Sequence, residues 1–229
     1  MGKRSFSCDM GVRGGSHINL IESLSSLPRR VKPLSRGEVY SLIRAAEKPR
    51  DRGFIAALYL TAARVSELLM LTTRDVSFED EYLVVRLLTL KRRDWQPYRY
   101  VPIPLADGFC RPLLRWLGEC QSQRLFSFSR QYAWQLLRRL GEKALRQRVW
   151  PHLLRHSRLT ELGSHLTIVE LCQFAGWRLP DAFGEARTYL HLNWRSYAHK
   201  IPRPGVPGGL TPLGPEPRGG ESHERCEEP

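Results

Sequence analysis

A histidine and an arginine three residues apart form the most suggestive chemical pair in this sequence. In P-H-L-L-R-H-S, His152 and Arg155 fall on one face of a predicted helix, and Pro151 at its first position puts both near the positive helix end. Arg64 follows the apolar segment L-Y-L-T-A-A, and we expect Glu67, one helical turn later, to hold it. On spacing alone such pairs are more often solvent-exposed surface contacts than parts of a reactive site.

Phosphodiester cleavage is the chemistry that such groups fit. It needs positive donors for the charge that develops on the phosphoryl oxygens, a nucleophile, and an acid for the leaving alkoxide. The charge of the chain points to the same substrate class, because 36 basic residues against 23 acidic ones give a net charge of +13. Double-stranded DNA is therefore the expected partner. A merely basic surface remains the alternative that charge alone leaves open.

Other function classes find little support in the sequence. Five scattered cysteines form no C-x-x-C pair for zinc or redox chemistry, and no G-x-x-x-x-G-K-[ST] loop for a nucleotide is present. We expect no cofactor and no metal. The longest nearly apolar run, residues 54–63, is too short to cross a bilayer, and the amino terminus lacks a secretory signal pattern. A cytoplasmic protein without a membrane span is expected.

Periodicity predicts a mainly α domain with one small antiparallel sheet. The two predicted strands, residues 82–88 and 98–103, are rich in β-branched and aromatic residues and form a hairpin. Helical patterns cover residues 35–46, 52–60, 65–71, 109–119, 129–146, 151–163, 168–174, 182–191 and 194–199. We expect a flexible basic arm at residues 1–33, a catalytic domain at 34–201 and a disordered Pro/Gly/Glu-rich tail at 202–229.

Four segments together resemble the ordered motifs of the tyrosine recombinase, or phage integrase, family. They are T-A-A-R-V-S-E-L, H-L-L-R-H-S, F-A-G-W and R-T-Y-L-H-L, and the resemblance covers roughly residues 34–200. Joint occurrence in this order is far more specific than any single motif. The resemblance implies the family's catalytic-domain fold and cleavage and rejoining of DNA strands through a 3′-phosphotyrosine. It also implies a homo-oligomer on DNA, up to a tetramer.

The resemblance also assigns roles. Arg64 and Arg155 resemble the arginines that clamp the scissile phosphate, His152 the residue that assists proton transfer at the nucleophile, and His156 a supporting histidine. Three further residues complete the expected catalytic set: Lys91 as proton donor to the departing 5′ oxygen, Trp177 as a phosphate ligand, and Tyr189 as the nucleophile. Tyr197, eight residues later, is the rival nucleophile.

Two departures from the family pattern affect these expectations. The interval of 12 residues from Trp177 to Tyr189 is longer than usual and contains Pro180 and Gly184, so delivery of Tyr189 in cis or in trans stays open. The sequence also begins almost at the catalytic domain, which predicts weaker or partner-assisted DNA binding. Two alternatives remain: a non-catalytic DNA-binding relic of an integrase, and a nicking-closing enzyme similar to type IB topoisomerases.

Overall fold

The described part of the chain is helical with one small sheet. The computed structural model describes residues 31–89, 98–177 and 193–205. The chain divides into two units, Met1–Lys32 and Pro33–Pro229, and every element below belongs to the second. The predicted helix at 182–191 and most of the arm and tail lie outside the described residues. In those described ranges, no helix has the length and apolarity to cross a bilayer.

The elements confirm the predicted fold class. The helices are α1 (Arg36–Ala45), α2 (Pro49–Leu60), α3 (Val65–Leu69), α4 (Cys110–Glu119), α5 (Arg130–Leu145), α6 (Pro151–Leu162), α7 (Ile168–Ala175) and α8 (Arg195–Ala198). The strands are β1 (Val76–Glu79), β2 (Tyr82–Leu88) and β3 (Tyr98–Pro104), and a 3-10 helix, Thr73–Asp75, precedes β1.

Helix α2 is the centre of the helical layer. Its side chains are buried from Phe54 to Leu60 on every face, so neighbours must cover it all round. Helices α1, α4 and α6 do so, and α5 packs against α1. Helix α1 begins at a capping box in which the Ser35 hydroxyl accepts from the Glu38 amide at 3.2 Å and Glu38 accepts from the Ser35 amide at 2.7 Å.

The sheet has three antiparallel strands in the order β1-β2-β3. The predicted hairpin is its β2–β3 half, with Val85 opposite Val101. Strand β1 was not predicted, because V-S-F-E is short and no residue in it is fully buried. A tight turn joins it to β2, with Asp80 in the left-handed region at φ 52°. Helices α7 and α8 pack against β3 and bring the carboxyl-terminal segments to the sheet.

Gly141 on α5 allows the chain to fold back over its own helix. A Cβ there would lie 2.6 Å from a Val149 methyl and 2.7 Å from the Gln147 carbonyl oxygen. We expect Gly141→Ala to lower the free energy of unfolding by about 1–3 kcal/mol, since backbone and a buried side chain must shift. Gly118→Ala on α4 is the control, because its Cβ would meet nothing within 4 Å.

The Gly118→Ala control should raise the stability by about 0.5–1 kcal/mol through helix propensity. Urea unfolding of both variants measures the difference. Equal stability of the two variants would contradict the close approach at Gly141.

Candidate active site

A pocket of about 700 Å³ lies where the amino-terminal parts of three helices meet. Positive helix ends favour an anion at such a place. The described residues that line it include three arginines and a histidine and no carboxylate. They are Ala63, Arg64, Val65 and Ser66 at α3, Arg130, Gln131, Trp134 and Gln135 on α5, and Trp150, Pro151, His152 and Arg155 at α6.

Arg64 is positioned by the sharp turn that ends α2. Ala62 adopts a left-handed conformation at φ 45°, and Arg64 then takes an extended conformation as the N-cap of α3. Glu67 accepts from the Arg64 amide at 3.0 Å and from its guanidinium Nη1 at 2.6 Å. The side chain of Glu67 is buried, whereas that of Arg64 keeps 27% exposure. The buried Glu67 carboxylate therefore holds the guanidinium on one side, and the guanidinium lines the pocket on the other.

Arg155 is almost completely buried at 2% exposure. Its guanidinium donates to the Ala62 carbonyl and, at 2.8 Å, to the Ala175 carbonyl, so it bridges the carboxyl-terminal ends of α2 and α7. Burial, together with the positive charges of Arg99 and Arg64, lowers the pKa of Arg155 to about 10. It remains cationic at neutral pH. A cation fixed in this way needs little reorganisation when negative charge develops beside it.

His152 lies one turn before Arg155 and is exposed. Partial removal of its imidazole from water, and then the charges of Arg155, His156 and Arg64, hold the pKa of His152 below its ordinary value. At neutral pH the imidazole is therefore uncharged and able to accept a proton. His156 follows one turn later and is also exposed.

Trp177 lies beside Arg155, after a left-handed Gly176 ends α7. The centre of its indole ring is 5.8 Å from the Arg155 Cζ atom, and the residue is 39% exposed. It thus stands at the edge of the cationic cluster with part of its ring open to solvent.

Arg99 is a buried arginine next to the site, and the motifs in the sequence do not indicate it. It lies on β3 at 1% exposure, and it donates to Glu67 at 3.0 Å. The sequence does contain a signal that Arg99 faces inward. Alternation along Y-R-Y-V-P-I puts Arg99 on the same face of the strand as Val101 and Ile103. An arginine on a core-facing strand position needs a buried anionic partner, and Glu67 is that partner.

The structure brings most of the expected residues together. Arg64, His152 and Arg155 line one pocket, with Trp177 next to Arg155 and Glu67 beneath Arg64. Lys91 and Tyr189 lie outside the described residues.

Tyr197, the rival nucleophile, is fully buried. Its hydroxyl donates to the Tyr100 carbonyl at 3.4 Å, and burial raises the pKa of the phenol above its ordinary value. Tyr197 packs as a core residue. In residues 31–89, 98–177 and 193–205, no group of three or more His, Cys, Asp or Glu is placed to hold a metal ion.

Curated relatives carry a consistent name. The chain is 32% identical over 174 residues to the tyrosine recombinase XerD of Ralstonia nicotianae, covering 66% of this chain and 54% of that protein. It is 34% identical over 148 residues to the tyrosine recombinase XerA of Thermococcus onnurineus, covering 60% and 49%. The chain thus spans about half the length of the curated relatives it matches.

Solved structures and a family model agree with these relatives. A XerA recombinase crystal structure has a TM-score of 0.56 at 25% identity, covering 77% of this chain and 68% of that one. The XerH site-specific recombinase bound to difH substrate shares the fold, with a TM-score of 0.54 at 21% identity over 70% and 50% of the two chains. The model of the phage integrase family matches residues 32–193. The chain therefore belongs to the phage integrase family.

Proposed function

We propose that this chain is a site-specific recombinase that cleaves and rejoins strands of double-stranded DNA through a 3′-phosphotyrosine intermediate. The observation that carries the proposal is the single pocket lined jointly by Arg64, His152 and Arg155, without a carboxylate among its described lining residues. A phosphodiester is an anion of the size and charge that such a pocket accepts. The net charge of +13 supplies sequence-independent attraction to the DNA backbone.

Each group has a defined part in the proposed reaction. The Tyr189 phenol oxygen attacks phosphorus as its proton passes to the neutral imidazole of His152. The bond from phosphorus to the 5′ oxygen breaks, and that oxygen takes a proton from Lys91. Arg64 and Arg155 stabilise the charge on the non-bridging oxygens, with the indole N–H of Trp177 as a further donor.

The products of this step are a 3′-phosphotyrosine and a free 5′-hydroxyl. Attack by the 5′-hydroxyl of another strand on the phosphotyrosine reverses the sequence and joins the strands. The bond between the tyrosine and phosphorus conserves the energy of the cleaved phosphodiester bond. Rejoining therefore needs no external energy source. We propose that the protein acts as a homo-oligomer on DNA, up to a tetramer.

Detection of a covalent protein–DNA adduct tests the proposal. Wild-type protein, Tyr189→Phe and Tyr197→Phe are incubated with a random-sequence pool of nicked duplexes and separated in SDS. We expect an SDS-stable adduct from wild type and from Tyr197→Phe, and none from Tyr189→Phe. An adduct that persists in Tyr189→Phe would move the nucleophile elsewhere. Shifted DNA bands in native gels without any wild-type adduct would instead favour a non-catalytic DNA-binding protein.

The pH dependence of cleavage should report His152. A base must be neutral to accept the phenol proton, and the folded pKa of His152 lies below its ordinary value of about 6.5. The adduct rate should therefore stay level as the pH falls from about 8 to about 6.5 and decrease only below that range. His152→Asn should be slower and should lack this decrease. An unchanged acid limb in His152→Asn would assign it to another group.

A further inference from the structure

Arg99 occupies an unusual position for a charged residue. It lies on β3, on the face of the strand that packs against the core, while its neighbours Tyr98 and Tyr100 are about half exposed. Burial of a guanidinium costs several kcal/mol unless hydrogen bonds and an opposite charge compensate it, and an apolar residue would avoid that cost. Burial lowers the pKa of Arg99 even though the charge of Glu67 opposes the shift. The stability of the sheet alone does not account for an arginine here.

The hydrogen bonds of Arg99 reach three different segments. Its Nη2 donates to Glu67 Oε2 at 3.0 Å, its Nε to the Phe174 carbonyl at 3.1 Å, and its Nη1 to the Thr89 hydroxyl at 3.3 Å. The three nitrogens of one planar group thus fix the relative positions of α3, α7 and the end of β2. Lysine has a single nitrogen on a flexible side chain, so it cannot make these three hydrogen bonds at once.

The hydrogen bond from Arg99 to Glu67 connects Arg99 with Arg64. Glu67 shares its two carboxylate oxygens between the arginines, with Arg64 Nη1 on Oε1 at 2.6 Å and Arg99 Nη2 on Oε2 at 3.0 Å. Burial alone would raise the pKa of Glu67, but the charge of Arg99 and the hydrogen bonds from both arginines hold it below its ordinary value. Arg99 therefore keeps charged and oriented the carboxylate that aims Arg64 into the pocket.

The hydrogen bond from Arg99 to the Phe174 carbonyl connects Arg99 with Arg155 and Trp177. Arg99 and Arg155 donate to consecutive carbonyls, those of Phe174 and Ala175, at the negative end of α7. Gly176 follows at φ 68°, and a Cβ there would lie 3.0 Å from Arg99 Cδ and Nη1. The chain thus turns directly over the Arg99 side chain before it reaches Trp177.

We propose that Arg99 is a positioning residue for the phosphate clamp, acting on Arg64 through Glu67 and on Arg155 and Trp177 through the carboxyl-terminal end of α7. Unlike Arg64 and Arg155, Arg99 is not among the described residues that line the pocket, so its proposed action on the phosphate is indirect. The inference rests on the proposed DNA cleavage. It predicts that loss of Arg99 slows the chemical step and leaves DNA affinity unchanged, because small displacements of catalytic groups cost rate.

The test separates positioning from stability with three variants. Arg99→Lys keeps the positive charge but cannot form the three hydrogen bonds of the planar guanidinium. The double variant Arg99→Met/Glu67→Gln removes both buried charges, which should leave stability near that of wild type, and it tests the Arg99–Glu67 pair as one positioning unit, whereas Arg99→Lys tests Arg99 alone. Arg86→Met is the control, since Arg86 belongs to the same sheet, is more exposed and binds Asp75 on its other face. The adduct rate at saturating nicked duplex, the dissociation constant for that duplex and the urea midpoint are measured for each.

We expect the Arg99→Lys and double variants to form adduct about tenfold to a hundredfold more slowly. Their dissociation constants should stay within about twofold of wild type, and Arg86→Met should match wild type in rate. Wild-type rates in Arg99→Lys and in the folded double variant would overturn the positioning role while leaving the proposed function intact. Absence of adduct from wild type would instead defeat the proposed function and this inference with it.

Discussion

Replacement of Arg155 with alanine is expected to slow adduct formation by at least about a hundredfold. Its guanidinium is buried and bound to the Ala62 and Ala175 carbonyls, and removal of one preorganised charge donor typically costs a factor of about 10²–10³ in rate. Single-turnover cleavage of a nicked duplex measures the effect. The change deletes a buried side chain, so the urea midpoint must be measured with it.

Arg138→Ala provides the matched control for this prediction. Arg138 lies on α5, is exposed and pairs only with Glu142 one turn later among its described ion pairs. Its loss removes the same charge from the protein at a site outside the pocket lining, so the cleavage rate should change by less than about threefold. Equal losses in Arg138→Ala and Arg155→Ala would reduce the role of Arg155 to general attraction of DNA.

The largest expected effect on stability is that of Glu67→Gln. Glu67 and Arg99 are both fully buried, and removal of one charge from a buried pair leaves the other without compensation, at a cost of about 3–5 kcal/mol. Chemical denaturation should show this decrease in the free energy of unfolding. Arg99→Met in the same chain should restore most of it, because the uncompensated charge is then gone.

A carboxylate in an exposed ion pair provides the control for the effect of burial on the stability loss. Glu119 pairs with Arg115 on α4, and both side chains are about half exposed. Glu119→Gln should therefore change the stability by less than about 1 kcal/mol. If Glu67→Gln were no more destabilising than Glu119→Gln, the buried Arg99–Glu67 pair would not be an energetic link between the sheet and α3.

Local patterns predicted the elements that local chemistry determines. The Ser35–Glu38 capping box marks the start of α1 correctly, and Pro151 marks the first residue of α6. Strand β1 was missed because its stability comes from pairing with β2 and not from its own four residues. Short strands of this kind are defined by tertiary contacts.

Some features of the candidate site also follow from local sequence, whereas others depend on tertiary contacts. The pairing of Arg64 with Glu67 follows from a spacing of three residues, so the sequence indicates it directly. The burial of Arg155 against the ends of α2 and α7 does not, because Ala62 and Ala175 are 93 and 20 residues away. Arg99 combines both cases: strand alternation shows that it faces inward, but only the fold shows that Glu67 and Phe174 meet it there.

The central claim is that Arg64 and Arg155 act on one phosphate, and neutralisation of that phosphate tests it most directly. A methylphosphonate at the scissile position of a nicked duplex replaces a charged oxygen with a methyl group, so less negative charge needs stabilisation. Arg155→Ala and Arg64→Ala should each cleave this substrate faster than the ordinary duplex, whereas wild type should gain no such advantage. Equal impairment of both variants on both substrates would contradict the claim.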